Sequence, residues 1–132
     1  MKLRIFMACM IAAMVSGCKD NNVGPGGSPS DVVFPTSSVS FGSHVQPLFN
    51  QVCAIAGCHD NGPHQSQLKL ATWGQTVIEL PGVVVPNQPD QSSLVLRIEG
   101  RVGTQMPLNM NPLNQNQING IRTWIAEGAR NN

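Results

Sequence analysis

Residues 53–60 read CAIAGCHD, and this stretch decides the kind of fold that the chain can adopt. Cys53 and Cys58 frame a spacer of four residues, and His59 follows the second cysteine directly. The spacer must bulge to bring both thiols to one side. Gly57 is expected to help, because glycine adopts positive φ at little steric cost. The stretch therefore places two thiols and an imidazole in one short loop.

Two thiols with a histidine directly after the second are typical of covalent haem attachment, whose usual signature is C-x-x-C-H. In such sites the thiols form thioethers with the two haem vinyl groups, and the histidine turns under the ring to bind iron. The spacer here has four residues instead of two, but the Cys58-His59 pair is intact. We therefore expect one covalent haem c, bound through Cys53, Cys58 and His59.

Two other structures for this loop remain open from the residues alone. Cys53 and Cys58 would form a disulfide readily in an oxidising compartment. Zinc could bind Cys53, Cys58, His59 and a fourth ligand such as His64, although the spacing suits a tetrahedral zinc site poorly.

A haem iron that carries electrons usually takes a second axial ligand. Met106 and Pro107 lie in a loop ahead of the C-terminal helix. A thioether is a soft ligand that stabilises reduced iron and raises its potential, and the proline stiffens the loop that presents it. We expect Met106 to be the distal ligand, with Met110 as the alternative. His44 and His64 are expected to face solvent.

Residues 1–17 have the features of a bacterial lipoprotein signal peptide. Two basic residues precede an apolar stretch at 5–15, which is shorter than the roughly 20 apolar residues needed to span a bilayer. Residues 15–18 then read VSGC, a lipobox, so cleavage is expected to leave Cys18 as a lipidated N-terminus. This predicts an exported protein, lipid-anchored to a bacterial membrane on the periplasmic side or at the cell surface.

A linker and one folded domain follow the signal peptide. Residues 18–39 are rich in Gly, Pro, Ser and Asn and predict a flexible linker, although the apolar island at 32–34 could dock on the domain. Residues 40–132 are expected to form a mostly α domain of three to four short helices with long Pro- and Gly-rich loops. Such loops need something inside to pack against, and one haem would supply it.

Hydrophobic periodicity and end signals place the helices. Asn114 and Gln117 predict a capping box at the start of the C-terminal helix, and Gly128 is placed to end it. Another helix is expected to lead into Cys53, a short one to follow residues 89–90, and at most a helical turn to lie near 72–78. The expected inward residues are Val45, Leu48, Phe49 and Val52 in the first helix, Leu94, Val95 and Ile98 in the short one, and Ile118, Ile121, Trp124 and Ile125 in the last.

The composition of the chain also reduces the number of function classes to consider. Charged residues make up 11% of the 132 residues and the formal net charge is +1, so no basic surface for nucleic acid is expected. No carboxylate pair, Ser/His/Asp set or phosphate-binding glycine loop indicates catalysis. We expect an electron carrier rather than an enzyme, monomeric and acting with a redox partner protein, which leaves open whether it is a redox subunit of an enzyme.

Short segments along residues 41–130 carry a family resemblance. They are VQPLF at 45–49, GCHD at 57–60, LKL at 68–70, VPNQP at 85–89, SLV at 93–95, MP at 106–107 and WIAEGA at 124–129. In their order and spacing the chain resembles the small cytochrome c modules of planctomycetes and Bacteroidetes. The resemblance implies a class I cytochrome c fold, with the N- and C-terminal helices crossing beside the haem. It also implies His59 as the proximal and Met106 as the distal iron ligand.

Two functions of other classes stay open beside mono-haem electron transfer. One is a haem-free lipoprotein binding module stapled by a disulfide between Cys53 and Cys58. The other is a haem sensor or enzyme whose sixth coordination site is open. The expected walls of a haem pocket are Phe49, Pro63, Leu68, Leu70, Trp73, Leu94, Ile98, Pro107 and Trp124.

Overall fold

The computed structural model of the chain describes residues 32–63 and 66–132. Within those ranges it contains four α-helices and no β-strand, so the mostly α class predicted from the sequence is confirmed. The helices are α1 (Gln46–Val52), α2 (Trp73–Val77), α3 (Ser93–Ile98) and α4 (Gln115–Ala126). A π-helical turn at Phe41–Val45 precedes α1, and a 3₁₀ turn at Pro89–Gln91 precedes α3.

Several expectations fall on parts of the chain that the structure does not describe. The signal peptide at 1–17, the lipidation site Cys18, the linker up to residue 31 and His64 all lie outside the described residues. Among the helices that are described, none has the length and apolar character to cross a membrane.

Helix α4 begins and ends where local signals predict. The Asn114 side chain accepts the Gln117 N–H, and the Gln117 side chain accepts the Asn114 N–H, which completes the capping box. At the other end Gly128 has φ +98°, Gly128 N–H donates to the Ile125 carbonyl, and Ala129 N–H donates to the Trp124 carbonyl. This pair of bonds is a Schellman motif, which satisfies carbonyls that the helix end would otherwise leave free.

The first helical segment carries its apolar face as predicted. Val45, Leu48 and Phe49 are fully buried and Val52 is nearly so. Proline stands at the second residue of α1, in the first turn, where a missing N–H costs least. Because the preceding π turn continues into α1, this face extends back to Phe41, whose ring lies 5.4 Å from the Trp124 ring centroid. The contact joins the N-terminal helical segment to α4.

The shorter helices also lie where the sequence indicates. The Thr72 side chain caps α2 by accepting the Gln75 N–H. In α3, Leu94, Val95 and Ile98 are buried, and the helix packs against both the 3₁₀ turn and α4. Helix α3 therefore shares the core built around α4 and also reaches the loop at 101–110.

Residues 32–39, expected to end a flexible linker, are instead packed on α4. Phe34 is buried and exchanges two backbone–side-chain hydrogen bonds with Asn116, of 2.8 and 3.0 Å. The N–H groups of Ser38 and Val39 donate to the Glu127 carboxylate at 2.7 and 2.9 Å. The packed part of the chain thus starts before Ser40, because the apolar island at 32–34 docks and its polar groups find partners on α4.

Candidate functional site

The loop between Cys53 and His59 forms at the C-terminal end of α1. Cys53 N–H donates to the Phe49 carbonyl at 2.8 Å and ends the helix. His59 N–H then returns to the Cys53 carbonyl at 3.0 Å, so the four-residue spacer closes on itself as a bulge. Gly57 has φ +79°, which confirms the predicted role of glycine in the turn. The bulge brings His59 back beside the end of α1.

A backbone carbonyl holds the His59 ring in one orientation. Its Nδ1 lies 3.0 Å from the Leu68 carbonyl oxygen. A carbonyl can only accept, so Nδ1 carries a proton, and Nε2 is the ring nitrogen left to bind a metal. The Leu70 N–H donates to the His59 carbonyl at 2.8 Å and braces the backbone of the same residue. In metal sites, a carbonyl that accepts from one ring nitrogen in this way fixes the tautomer and orientation of the ligating histidine.

Next to this ring is a cavity of about 550 Å³. Its volume falls within the roughly 300–1,000 Å³ of ligand sites, and most of its lining is apolar. The described residues that line it are Val52, Cys53, Cys58, His59, Ser66, Leu68, Leu70, Ser93, Leu94, Arg97, Ile98, Val102, Thr104, Met106, Pro107, Leu108 and Met110. The cavity therefore brings together every haem-binding residue predicted from the sequence, including both candidate methionines.

The two methionines differ in how firmly they are placed. Met106 is half-buried, and its N–H donates to the Arg97 carbonyl at 3.0 Å, which ties the loop to α3. The Met110 side chain is 41% exposed and lies at the rim. Met106 is thus the better anchored of the two candidate thioethers.

The two cysteines are both free thiols in very different surroundings. Cys58 is exposed, whereas Cys53 is buried. Burial, with a smaller contribution from the nearby Cys58, raises the pKa of the Cys53 thiol to about 12. At neutral pH this thiol is therefore protonated and reacts poorly as a nucleophile, since the thiolate is the reactive form. Among residues 32–63 and 66–132, no group of three or more His, Cys, Asp or Glu side chains is arranged to hold a metal ion.

Predicted wall residues divide between the cavity and the core beneath it. Leu68, Leu70, Leu94, Ile98 and Pro107 line the cavity. Phe49 and Trp124 are instead fully buried in the hydrophobic core and do not line the cavity. The remaining two, Pro63 and Trp73, do not line the cavity, and the indole N–H of Trp73 donates to the Ala129 carbonyl.

His44 lies away from the cavity and is half-buried rather than facing solvent. Its Nδ1 accepts the Ser40 N–H at 3.0 Å, and its ring lies 6.0 Å from that of Phe34. The expectation of a solvent-facing side chain was wrong, because residues 32–39 pack over this turn.

Sequence reasoning missed the polar residues at the cavity mouth, above all Arg97. A signal was present: Arg97 stands three residues after Leu94 and one before Ile98, so it shares the side of α3 that these two residues turn inward. The other residues missed are Val52, Ser66, Ser93, Val102, Thr104 and Leu108.

Comparisons of the chain with models of protein families, with curated proteins and with solved structures find no match.

Proposed function

We propose that the chain is a mono-haem c-type cytochrome that transfers single electrons at a bacterial membrane surface. The observation that carries the proposal is the shared cavity of Cys53, Cys58, His59 and Met106, which are up to 53 residues apart in sequence. A disulfide-stapled module has no need of a large apolar cavity between its two thiols and a distant methionine.

The cavity fits a haem in its donors, size and polarity. His59 Nδ1 is bound to the Leu68 carbonyl, so Nε2 is the ring nitrogen that would bind the iron. Cys53 and Cys58 flank the same space, and Met106 presents a soft sulfur ligand. Three of the exposed large apolar residues, Val102, Leu108 and Met110, also line this cavity. An apolar occupant would cover surface that otherwise faces water.

Each residue has a distinct task in this proposal. Cys53 and Cys58 would hold the group through thioethers, and His59 and Met106 would be the two ligands of its iron. The haem supplies the change between Fe(III) and Fe(II), and the protein fixes the ligands and excludes water. The methionine sulfur favours the reduced state and so raises the potential.

The proposal extends to fold, location and partner. The contact between the N-terminal helical segment and α4 through Phe41 and Trp124 supports a class I cytochrome c arrangement, in which these helices lie beside the haem. Lipid on Cys18 would hold a monomeric domain at the membrane, where a redox partner protein meets the exposed haem edge. The lipobox at 15–18 supports this location.

Expression of the full chain with cytochrome maturation machinery tests haem attachment. A haem stain should stay with the protein band on a denaturing gel, because thioethers survive denaturation. The stain should be lost in the Cys53→Ser/Cys58→Ser double variant and kept in the matched control Cys18→Ser, which should lose the lipid instead. An unstained wild-type protein whose mass is two hydrogens below the reduced value would establish the disulfide-stapled module.

The sixth ligand is tested on the haem-loaded protein. Met106→Ala should abolish the weak methionine-to-iron absorption band of the oxidised form, and Met110→Ala, the matched control, should leave it intact. The reverse result would assign Met110. If neither variant changes the spectrum, the sixth site is open, and a sensor or enzyme becomes the better assignment.

A further inference from the structure

Arg97 is the one charged side chain among the described residues that line the cavity. Around it the mouth carries neutral hydroxyls of Ser93 and Thr104, and the inner lining is mostly apolar. In the described part of the chain, all the arginine–carboxylate pairs belong to a separate cluster of Asp90, Glu99, Arg101 and Arg122. Arg97 thus brings an uncompensated positive charge to the entrance of an apolar cavity.

The guanidinium packs against the loop that follows α3. Its Nη1 donates to the Thr104 carbonyl at 3.2 Å. A Cβ on Gly103 would overlap Nη1 and approach Cζ to 2.8 Å, so the guanidinium lies directly against this glycine. Gly103 has φ +56°, a conformation that favours glycine at this point of the loop. Arg97 is exposed, and the tip of its side chain packs on the loop backbone.

Most N–H donors of the Arg97 guanidinium have no partner in this loop. A guanidinium carries five N–H donors, and the Thr104 carbonyl takes one of them. Two parallel N–H groups of the planar guanidinium can donate to both oxygens of one carboxylate, whereas a hydroxyl or a carbonyl offers only one oxygen. An occupant with an apolar body and an acid at its edge would fill the cavity and present that acid at the mouth. Haem c has this character, since its two propionate carboxylates lie on one edge of an apolar ring.

We infer that Arg97 binds a carboxylate of the cavity occupant, which under the proposed function is a haem propionate. This contact would place the carboxylate edge of the occupant at the mouth of the cavity. Arg97 further accepts the Met106 N–H through its carbonyl. The residue that binds the carboxylate thus also holds the loop of the proposed distal ligand.

The reduction potential of the haem-loaded protein, measured against pH, tests this site. A carboxylate paired with Arg97 keeps a low pKa in both oxidation states, so the wild-type potential should change little around neutral pH. In Arg97→Gln the carboxylate pKa should rise, and more in the reduced protein, which has one positive charge fewer at iron. The potential should then be lower than in wild type and should fall as pH rises through the neutral range.

Other charged groups near α3 give the controls. Those on the 3₁₀ turn and α4 are Asp90 and Arg122, with Glu99 and Arg101 directly after α3. Arg101→Gln removes a cation from the paired cluster and should leave the pH profile unchanged. Arg97→Lys keeps the charge without the bidentate geometry and should fall between wild type and Arg97→Gln. In the cavity itself, Cys53, Cys58 and His59 are bound in the loaded protein and shared by all variants.

A crystal structure of the wild-type haem-loaded protein gives a second, independent measurement. A propionate oxygen within hydrogen-bond distance of the Arg97 guanidinium would support the site even if Arg97→Gln failed to mature. No such contact, or an Arg97→Gln potential and pH profile equal to those of wild type, would overturn it. A wild-type band without haem stain would instead refute the proposed function, so the two failures are distinguishable.

Discussion

Two regions of the molecule differ in how completely their apolar side chains are buried. The helix region, residues 32–52 and 113–132, buries Val45, Leu48, Phe49, Ile121 and Trp124 completely. The cavity region, residues 53–63, 66–70 and 93–110, leaves Val102, Leu108 and Met110 between 41% and 54% exposed and lines a space of about 550 Å³.

The difference lies in where the large side chains are. Phe34, Phe41, Phe49 and Trp124 all lie in the helix region, and the described cavity lining contains neither Phe nor Trp. Large aromatic side chains fill the helix region, whereas smaller apolar side chains line an open space in the cavity region. If the proposed haem fills this space, the two regions should respond differently to loss of haem, to core substitutions and to pH.

The largest expected effect comes from preventing haem attachment with Cys53→Ser/Cys58→Ser. The chain should fold poorly overall, with the cavity region opening first. Hydrogen exchange should show the His59, Leu70 and Met106 amides losing protection at least tenfold more than those of α4, or about 1.4 kcal/mol in opening free energy. A haem-free chain that melts as sharply as the haem-loaded protein, with even protection, would remove the distinction between the regions.

Next in size is Gly120→Ala, which tests the docking of residues 32–39 on α4. The new Cβ would overlap the buried Phe34 side chain as far back as the Cβ of Phe34, next to its backbone. We expect the haem-loaded protein to lose about 1–3 kcal/mol in denaturant unfolding. The matched control is Gly74→Ala in α2, where a Cβ meets nothing within 4 Å and alanine should gain up to about 1 kcal/mol. Equal responses would show that the Phe34 contact contributes nothing.

A smaller loss is expected from Asn114→Ala at the start of α4. The substitution removes the side-chain acceptor of the Gln117 N–H, so unfolding by denaturant should require about 1 kcal/mol less. Asn114→Asp keeps an acceptor and should remain near wild type. If the alanine variant is as stable as the aspartate variant, tertiary packing of α4 makes its cap redundant.

The smallest effect is expected at the exposed charge cluster on the outer side of α3. Hydrogen bonds from Arg122 and then Arg101 lower the pKa of Asp90. A lowered pKa in the folded state stabilises the protein above the unfolded pKa, and this contribution is lost as pH falls through the folded pKa. Asp90→Asn should therefore flatten the acid side of the stability curve slightly.

The matched control for the charge cluster is Glu79→Gln, since Glu79 is exposed and makes no salt bridge within the described residues. Melting temperatures recorded across acid pH should separate the two variants. A Glu79→Gln curve as flattened as that of Asp90→Asn would mean that the ion pairs of Asp90 add nothing measurable.

The sequence by itself determined the features that depend on neighbouring residues. The capping box at Asn114, the Schellman turn at Gly128 and the bulge at Gly57 each satisfy or shape backbone within a few positions. The apolar faces of α1, α3 and α4 follow in the same way from helical spacing. Such signals involve only residues a few positions apart, so they can be read from the sequence without knowledge of the fold.

Only the tertiary structure decided the contacts between distant segments. The hydrogen bonds of Phe34 with Asn116 span 82 residues, and no local pattern specifies them. Two further contacts depend on how the loop folds back onto α3. The Met106 N–H donates to the Arg97 carbonyl, and the Arg97 guanidinium packs against Gly103. The physical reason is that these positions are set by packing shape and by the pairing of leftover polar groups, which exist only once the helices have met.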